Sequence, residues 1–100
     1  MTEITKNIEG TVMTLQVSGR IDAATAPELR KVSDMMPEDI TRLVIDMSGT
    51  EYISSAGIRV LLIMQKKMDS RGGTLTLHGL SNTTSRIIVA TGLAEVFNME

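Results

Sequence analysis

The segment Leu43–Leu62, LVIDMSGTEYISSAGIRVLL, sets a nearly continuous apolar run ahead of a polar loop, a serine pair, a glycine and the most apolar stretch of the chain. The run Leu43-Val44-Ile45-Asp46-Met47, bounded by Ser48-Gly49, is too short for a helix and has the look of a central strand buried on both faces. After the serines the period changes. Gly57, Leu61, Met64 and Met68 fall on one helical stripe, Ile58 and Leu62 widen it, and Arg71-Gly72-Gly73 ends it. Thr74-Leu75-Thr76-Leu77-His78 then alternates as a half-buried strand, which completes a parallel strand-helix-strand unit.

The same grammar holds on either side. Ile4 and Ile8 share one parity, Met13, Leu15 and Val17 share a face, and Glu9-Gly10 makes the turn of a hairpin. Thr25-Ala26-Pro27-Glu28 reads as a capping box opening a helix through Ala26, Leu29, Val32 and Met36, stopped by Pro37. Ser81 begins a last long helix that stops at Gly92, and a short closing helical turn carries Leu93, Val96 and Phe97. The order strand, strand, helix, strand, helix, strand, helix, helix predicts an α/β fold. Its four-stranded mixed sheet has an antiparallel N-terminal hairpin followed by parallel strands, with helices on one face.

Composition bounds the function classes. The 100 residues, 42% hydrophobic and 22% charged, suit a soluble globular chain forming one domain over residues 1–100. Two aromatic residues and a formal charge of -2 remove both the stacking platforms and the basic footprint of a nucleic-acid binder. The absence of cysteine excludes disulfides and suits a reducing compartment. The polar start MTEITKNIEG has no signal-peptide core, and no apolar run approaches the length of a membrane span, so a cytoplasmic location is expected. Eight methionines fill an aliphatic core, although some of them can line a binding face. No second ligand stands near His78 at metal-binding spacing, and no metal or cofactor is expected.

Open sheets of this kind gather their chemistry at the carboxyl ends of parallel strands. The second strand is expected to end at Asp22 and the third at Asp46, while the loop leaving the third delivers Ser54 and Ser55 to a helix start; both carboxylates and both hydroxyls should share one rim. Serine pairs before a helix serve most often as caps. The alternative is a phosphate acceptor, since free backbone N–H groups and the positive end of the helix dipole welcome an added dianion. Asp22 and Asp46 have the parallel alternative of closing local turns. A serine-hydrolase elbow is excluded because Ile53 stands where its first glycine must be.

Taken together, LVIDMSGTEYISSAGIRVLL, VSGRIDAATAPELR and TGLAEVF resemble the STAS domain of bacterial anti-sigma factor antagonists along essentially the entire chain. The resemblance implies a non-enzymatic protein in a partner-switching circuit of sigma-factor regulation. Its partners would be an anti-sigma factor that is also a serine protein kinase of the histidine-kinase-like ATPase type, and a metal-dependent serine phosphatase; neither nucleic acid nor membrane insertion is implied. Counting back from Gly57 places the acceptor at Ser55, with Ser54 as the competing hydroxyl, and Asp22 resembles the acidic residue beside it. Asp46, Ser54, Ala56 and Gly57 complete the expected surroundings. Two positions depart from the family's commonest form, Ser54 replacing an aspartate and Ala56 a hydroxyl. The resemblance also admits an unphosphorylated scaffold subunit of a transport or signalling complex.

Overall fold

The computed structural model describes residues 2–100. The hairpin pairs β1 (Glu3–Glu9) with β2 (Val12–Ile21) antiparallel, Glu9 opposite Val12, so that Gly10-Thr11 rather than Glu9-Gly10 makes the turn. α1 (Ala26–Asp34) leads to β3 (Arg42–Ile53), α2 (Ser55–Ser70) to β4 (Thr74–His78), and α3 (Asn82–Ala90) to a short β5 (Asn98–Met99). Every pair after the hairpin is parallel and the strands lie side by side in chain order. Each parallel pair is joined through a helix, α1 between β2 and β3, α2 between β3 and β4, and α3 between β4 and β5. Burial alternates along the strands: Met13, Leu15, Leu43, Ile45 and Leu77 are sealed from solvent, while Thr14, Gln16, Val44 and Asp46, on the other face, stand at least partly in solvent.

The sheet has five strands rather than four, and the expected closing helix is a turn followed by β5. Two residues leave no periodic trace in a sequence. β5 exists because Glu100 N–H donates to the Leu77 carbonyl at 2.8 Å, the Asn98 amide donates to Thr76 Oγ1 at 3.1 Å, and Phe97 is buried beside them. Of the three apolar residues expected beneath, Phe97 is buried and Leu93 half-buried, but Val96 is exposed.

β3 runs through Ser48-Gly49 to Ile53 instead of stopping there. Register shifts against β2 mark a bulged stretch, where Gly49 lies so close to Ser18 that an added Cβ would sit 3.0 Å from the serine Cβ. Pairing resumes beyond the bulge, with Thr50 Oγ1 donating to the Val17 carbonyl at 2.7 Å and the Arg20 guanidinium stacked 4.5 Å over the Tyr52 ring.

α2 is the spine of the helical layer, with Gly57, Ile58, Leu61, Met64 and Met68 buried along it. Lys67 and Arg71, which a helical wheel places in solvent, fasten the spine to its neighbours. Lys67 Nζ donates to the Ser33 carbonyl at 2.7 Å, and Arg71 donates to the carbonyls of Pro37 and Ile40 at 2.8 and 3.1 Å. At the exit of α2, a Cβ on Gly73 would collide with the Thr41 carbonyl and lie 2.9 Å from Met68 Cε. Gly73→Ala is therefore expected to lower stability by about 1–3 kcal/mol, read as a drop of several degrees in a thermal melt; an unchanged midpoint would show that the contact yields.

Candidate functional site

β2 and β3 finish together, Ile21 opposite Ile53, and the residue after β3, Ser54, donates its N–H to the Ile21 carbonyl at 2.8 Å. That bond turns the chain into α2 against the end of β2. One helical turn later Gly57 presses on the same spot, where a Cβ would lie 2.7 Å from Ile21 Cγ2, 2.8 Å from Ile53 Cγ1 and 3.3 Å from the Ile21 carbonyl oxygen. No residue with a side chain fits without displacing the helix.

Ser54 is the N-cap of α2. Its backbone is extended, its Oγ accepts from the Gly57 N–H at a long 3.4 Å, and its carbonyl accepts from Ile58 N–H at 3.0 Å. Ser54 thus takes the capping position expected of it in place of an aspartate. Ser55 is the first residue of the helix and is exposed, Ala56 is half-buried and Gly57 buried. The first turn of α2 contains no acidic side chain, so the positive end of its dipole meets no negative charge from its own residues.

Asp22 follows Ile21 and therefore neighbours Ser54 across the strand ends. Its Oδ1 accepts from the N–H groups of Ala24 and Thr25 at 3.0 and 3.1 Å, and its carbonyl accepts from Ala26 N–H at 2.8 Å. The hydrogen bond from Thr25 N–H, foremost, holds the Asp22 carboxyl below its ordinary value of 3.8, with Ala24 N–H, the Thr25 hydroxyl and the Arg20 guanidinium acting in the same direction. The capping box does not form. Thr25 stands at the N-cap of α1, yet its hydroxyl accepts from Asp22 N–H at 2.9 Å and donates to the Arg20 carbonyl at 2.9 Å, so the aspartate turn starts the helix.

Asp46 does not join this group. Because β3 continues to Ile53, Asp46 lies within the strand, paired with Gln16 on one side and His78 at the end of β4 on the other. Its Oδ1 accepts from Ser48 N–H at 3.0 Å, and this bond, with a further one to the Ser48 side chain and the proximity of His78, keeps its carboxyl below the usual value. Asp46 shapes the bulge on the open face of the sheet. The rim thus unites Asp22, Ser54, Ser55, Ala56 and Gly57 and leaves Asp46 out.

Beside Ser55 runs a groove of about 290 Å³ between the starts of α1 and α2, lined by Ala23, Ala26, Pro27, Ala56 and Val60, with Arg30 and Arg59 among its walls. Sequence reading passed over both arginines. Arg59 was visible as the residue four after Ser55, hence on the same helical face. Among the described residues no group of three or more His, Cys, Asp or Glu is placed to hold a metal ion, and no helix is long and apolar enough to cross a membrane.

A mixed sheet, antiparallel in its first pair and parallel after it, with a hydroxyl-bearing helix start at its carboxyl rim defines a small class of α/β folds. The family model described as "Mlab, STAS domain" matches residues 4–99, and the chain belongs to the STAS domain family. It is 33% identical over 86 residues to the anti-sigma-B factor antagonist of Listeria monocytogenes, covering 84% of this chain and 75% of that protein. The crystal structure of an anti-sigma factor antagonist from Mycobacterium paratuberculosis superposes with a TM-score of 0.83 at 28% identity, over 99% of this chain and 85% of that one. The Bacillus cell fate determinant SpoIIAA in its phosphorylated form shares the fold at 12% identity, with a TM-score of 0.72 over 100% of this chain and 91% of that one.

Two outcomes follow from the local geometry. Ser54→Ala removes the cap and should destabilise by about 1 kcal/mol, whereas Ser55→Ala, at an exposed position, should stay within about 0.5 kcal/mol of the parent in denaturant unfolding; equal losses would mean that the cap is wrongly assigned. Because the Asp22 carboxyl is depressed in the folded chain, its contribution is complete above its ordinary value of 3.8 and is lost as pH falls through the lower folded value. Asp22→Asn keeps an acceptor but cannot titrate, so its stability should fall less steeply than the parent's below about pH 4. Parallel acid-unfolding curves for the two proteins would contradict this.

Proposed function

We propose that this chain is an anti-sigma factor antagonist that binds an anti-sigma factor and is switched off by phosphorylation of Ser55. The observation that carries the reading is the placement of Ser55: exposed, first in α2, beside a groove with apolar walls, and behind a separate residue that already caps the helix. The name of the Listeria relative, an anti-sigma-B factor antagonist at 33% identity, supports the same role. The partner is an anti-sigma factor that is also a serine kinase of the histidine-kinase-like ATPase type. It transfers the γ-phosphoryl group of ATP to Ser55 Oγ, releasing ADP and taking up the hydroxyl proton. A metal-dependent serine phosphatase hydrolyses the ester and restores binding. The chain contributes no catalytic group, binds no cofactor, folds as one domain and works in the cytoplasm.

Asp22 acts in this scheme as a fixed negative charge next to the acceptor. Ser54 is the poorer acceptor because its hydroxyl is half-buried and turned toward Gly57 N–H. A second reading is a constitutive scaffold subunit of a transport or signalling complex. It draws on Ser54 and Ala56, which stand where the family's commonest form has an aspartate and a hydroxyl.

The kinase-type anti-sigma factor of the same genome, given ATP, should phosphorylate the parent and spare Ser55→Ala, and Ser55→Asp should fail to retain it in a pull-down. Phosphate found equally on both proteins would move the acceptor elsewhere. Retention by Ser55→Asp at parental strength would favour the scaffold.

A further inference from the structure

We propose that Arg59 is the intramolecular receptor of the phosphate on Ser55, so that modification both adds a dianion and draws a cation off the wall of the neighbouring groove. The inference rests on the reading of Ser55 as the acceptor and adds the residue that answers it.

Ser55 and Arg59 are both exposed and stand four residues apart on α2, which puts their side chains on one face, one turn apart. An acid preceding a base at this spacing is the favourable orientation, and the added dianion also suits the N-terminal end of the helix dipole. Among the described residues Arg59 has no ion pair and no side-chain hydrogen bond; the one salt bridge joins Arg30 Nε to Asp34 Oδ1 at 3.1 Å. The first turn of α2 offers no carboxylate in competition. The other charges near the acceptor are Asp22, which repels a phosphate, Arg20, which acts on Asp22 and is stacked on Tyr52, and Arg30, already engaged by Asp34 on α1. Arg59 is therefore the cation free to turn toward position 55.

The same side chain lines the groove with Ala26, Pro27, Ala56 and Val60. In the unmodified chain its guanidinium is available to a carboxylate on whatever docks there. Once the phosphate is present, the guanidinium is held at the helix tip by charge-assisted hydrogen bonds. Phosphorylation thereby changes two features of one surface through a single pair.

The test uses the full chain with phosphoserine installed co-translationally at position 55, with and without Arg59→Gln, and reads the second pKa of the phosphate by phosphorus NMR. Pairing with a guanidinium favours the dianion, so in the parent this value should lie below the ordinary value near 6 and at least about half a pH unit below that in Arg59→Gln. The helix dipole acts equally in both proteins and cancels from the difference. Arg30→Gln should titrate with the parent. Coincident titrations of the parent and Arg59→Gln would overturn the proposal, as would an Arg30→Gln shift as large as that of Arg59→Gln. The titration needs no kinase and no partner. Failure of the anti-sigma factor to discriminate phosphorylated from unmodified chain would therefore count against the proposed function alone, while the phosphate's pKa decides the role of Arg59.

Discussion

The bare Cα of Gly57 against Ile21 is the contact on which the rest of the structure depends. At that point the backbone of α2 comes within van der Waals reach of the last residue of β2, closer than any Cβ permits. Together with the Ser54 N–H bond to the Ile21 carbonyl, it fixes where the helix begins and how its first turn is rotated. Ser54 is thereby turned toward the free N–H of Gly57 and Ser55 is left facing outward. The same contact sets the spacing between the starts of α1 and α2, which forms the groove beside the serines.

This arrangement separates the tip of α2 from the forces that hold the helix in place. Leu61, Met64 and Met68, without measurable exposure, anchor the helix along its length, and Lys67 and Arg71 tie its far end to the carbonyls of Ser33, Pro37 and Ile40. A charge added at Ser55 meets backbone N–H groups and a favourable dipole rather than apolar side chains. The cost of modification then falls on whatever must dock there, because a dianion buried without a cation in an interface loses its hydration uncompensated. A surface can be switched in this way while the core stays untouched.

Much of this was legible in the sequence, for identifiable reasons. The change of period from Leu43–Met47 to the Gly57, Leu61, Met64, Met68 stripe announced a strand feeding a helix that one of the two serines caps, while the assignment of the cap to Ser54 and of the acceptor to Ser55 drew on the family resemblance. What escaped notice depended on long-range pairing. The two residues of β5 are a strand only because β4 offers an edge to Asn98–Met99. Ser48-Gly49, a reasonable end for a strand, became a bulge because β2 continues alongside and supplies the Val17 carbonyl to Thr50. That extension removed Asp46 from the rim. Thr25 and Glu28 have the spacing of a capping box, yet Asp22, three residues before Thr25, captured the same N–H group first. A helical wheel likewise could not show that Lys67 and Arg71 reach across to a neighbouring element.

The central claim is that position 55 accepts a dianion with a change of surface and none of architecture. Amide chemical shifts of the uniformly nitrogen-15-labelled chain, compared with and without phosphoserine at that position, test it most directly. The account predicts perturbations confined to residues 22–27 and 54–60, with the strand amides of residues 43–47 and 75–77 unmoved. Shifts spread through those central strands, or the loss of their dispersion, would show that the phosphate acts by disturbing the fold and would contradict it.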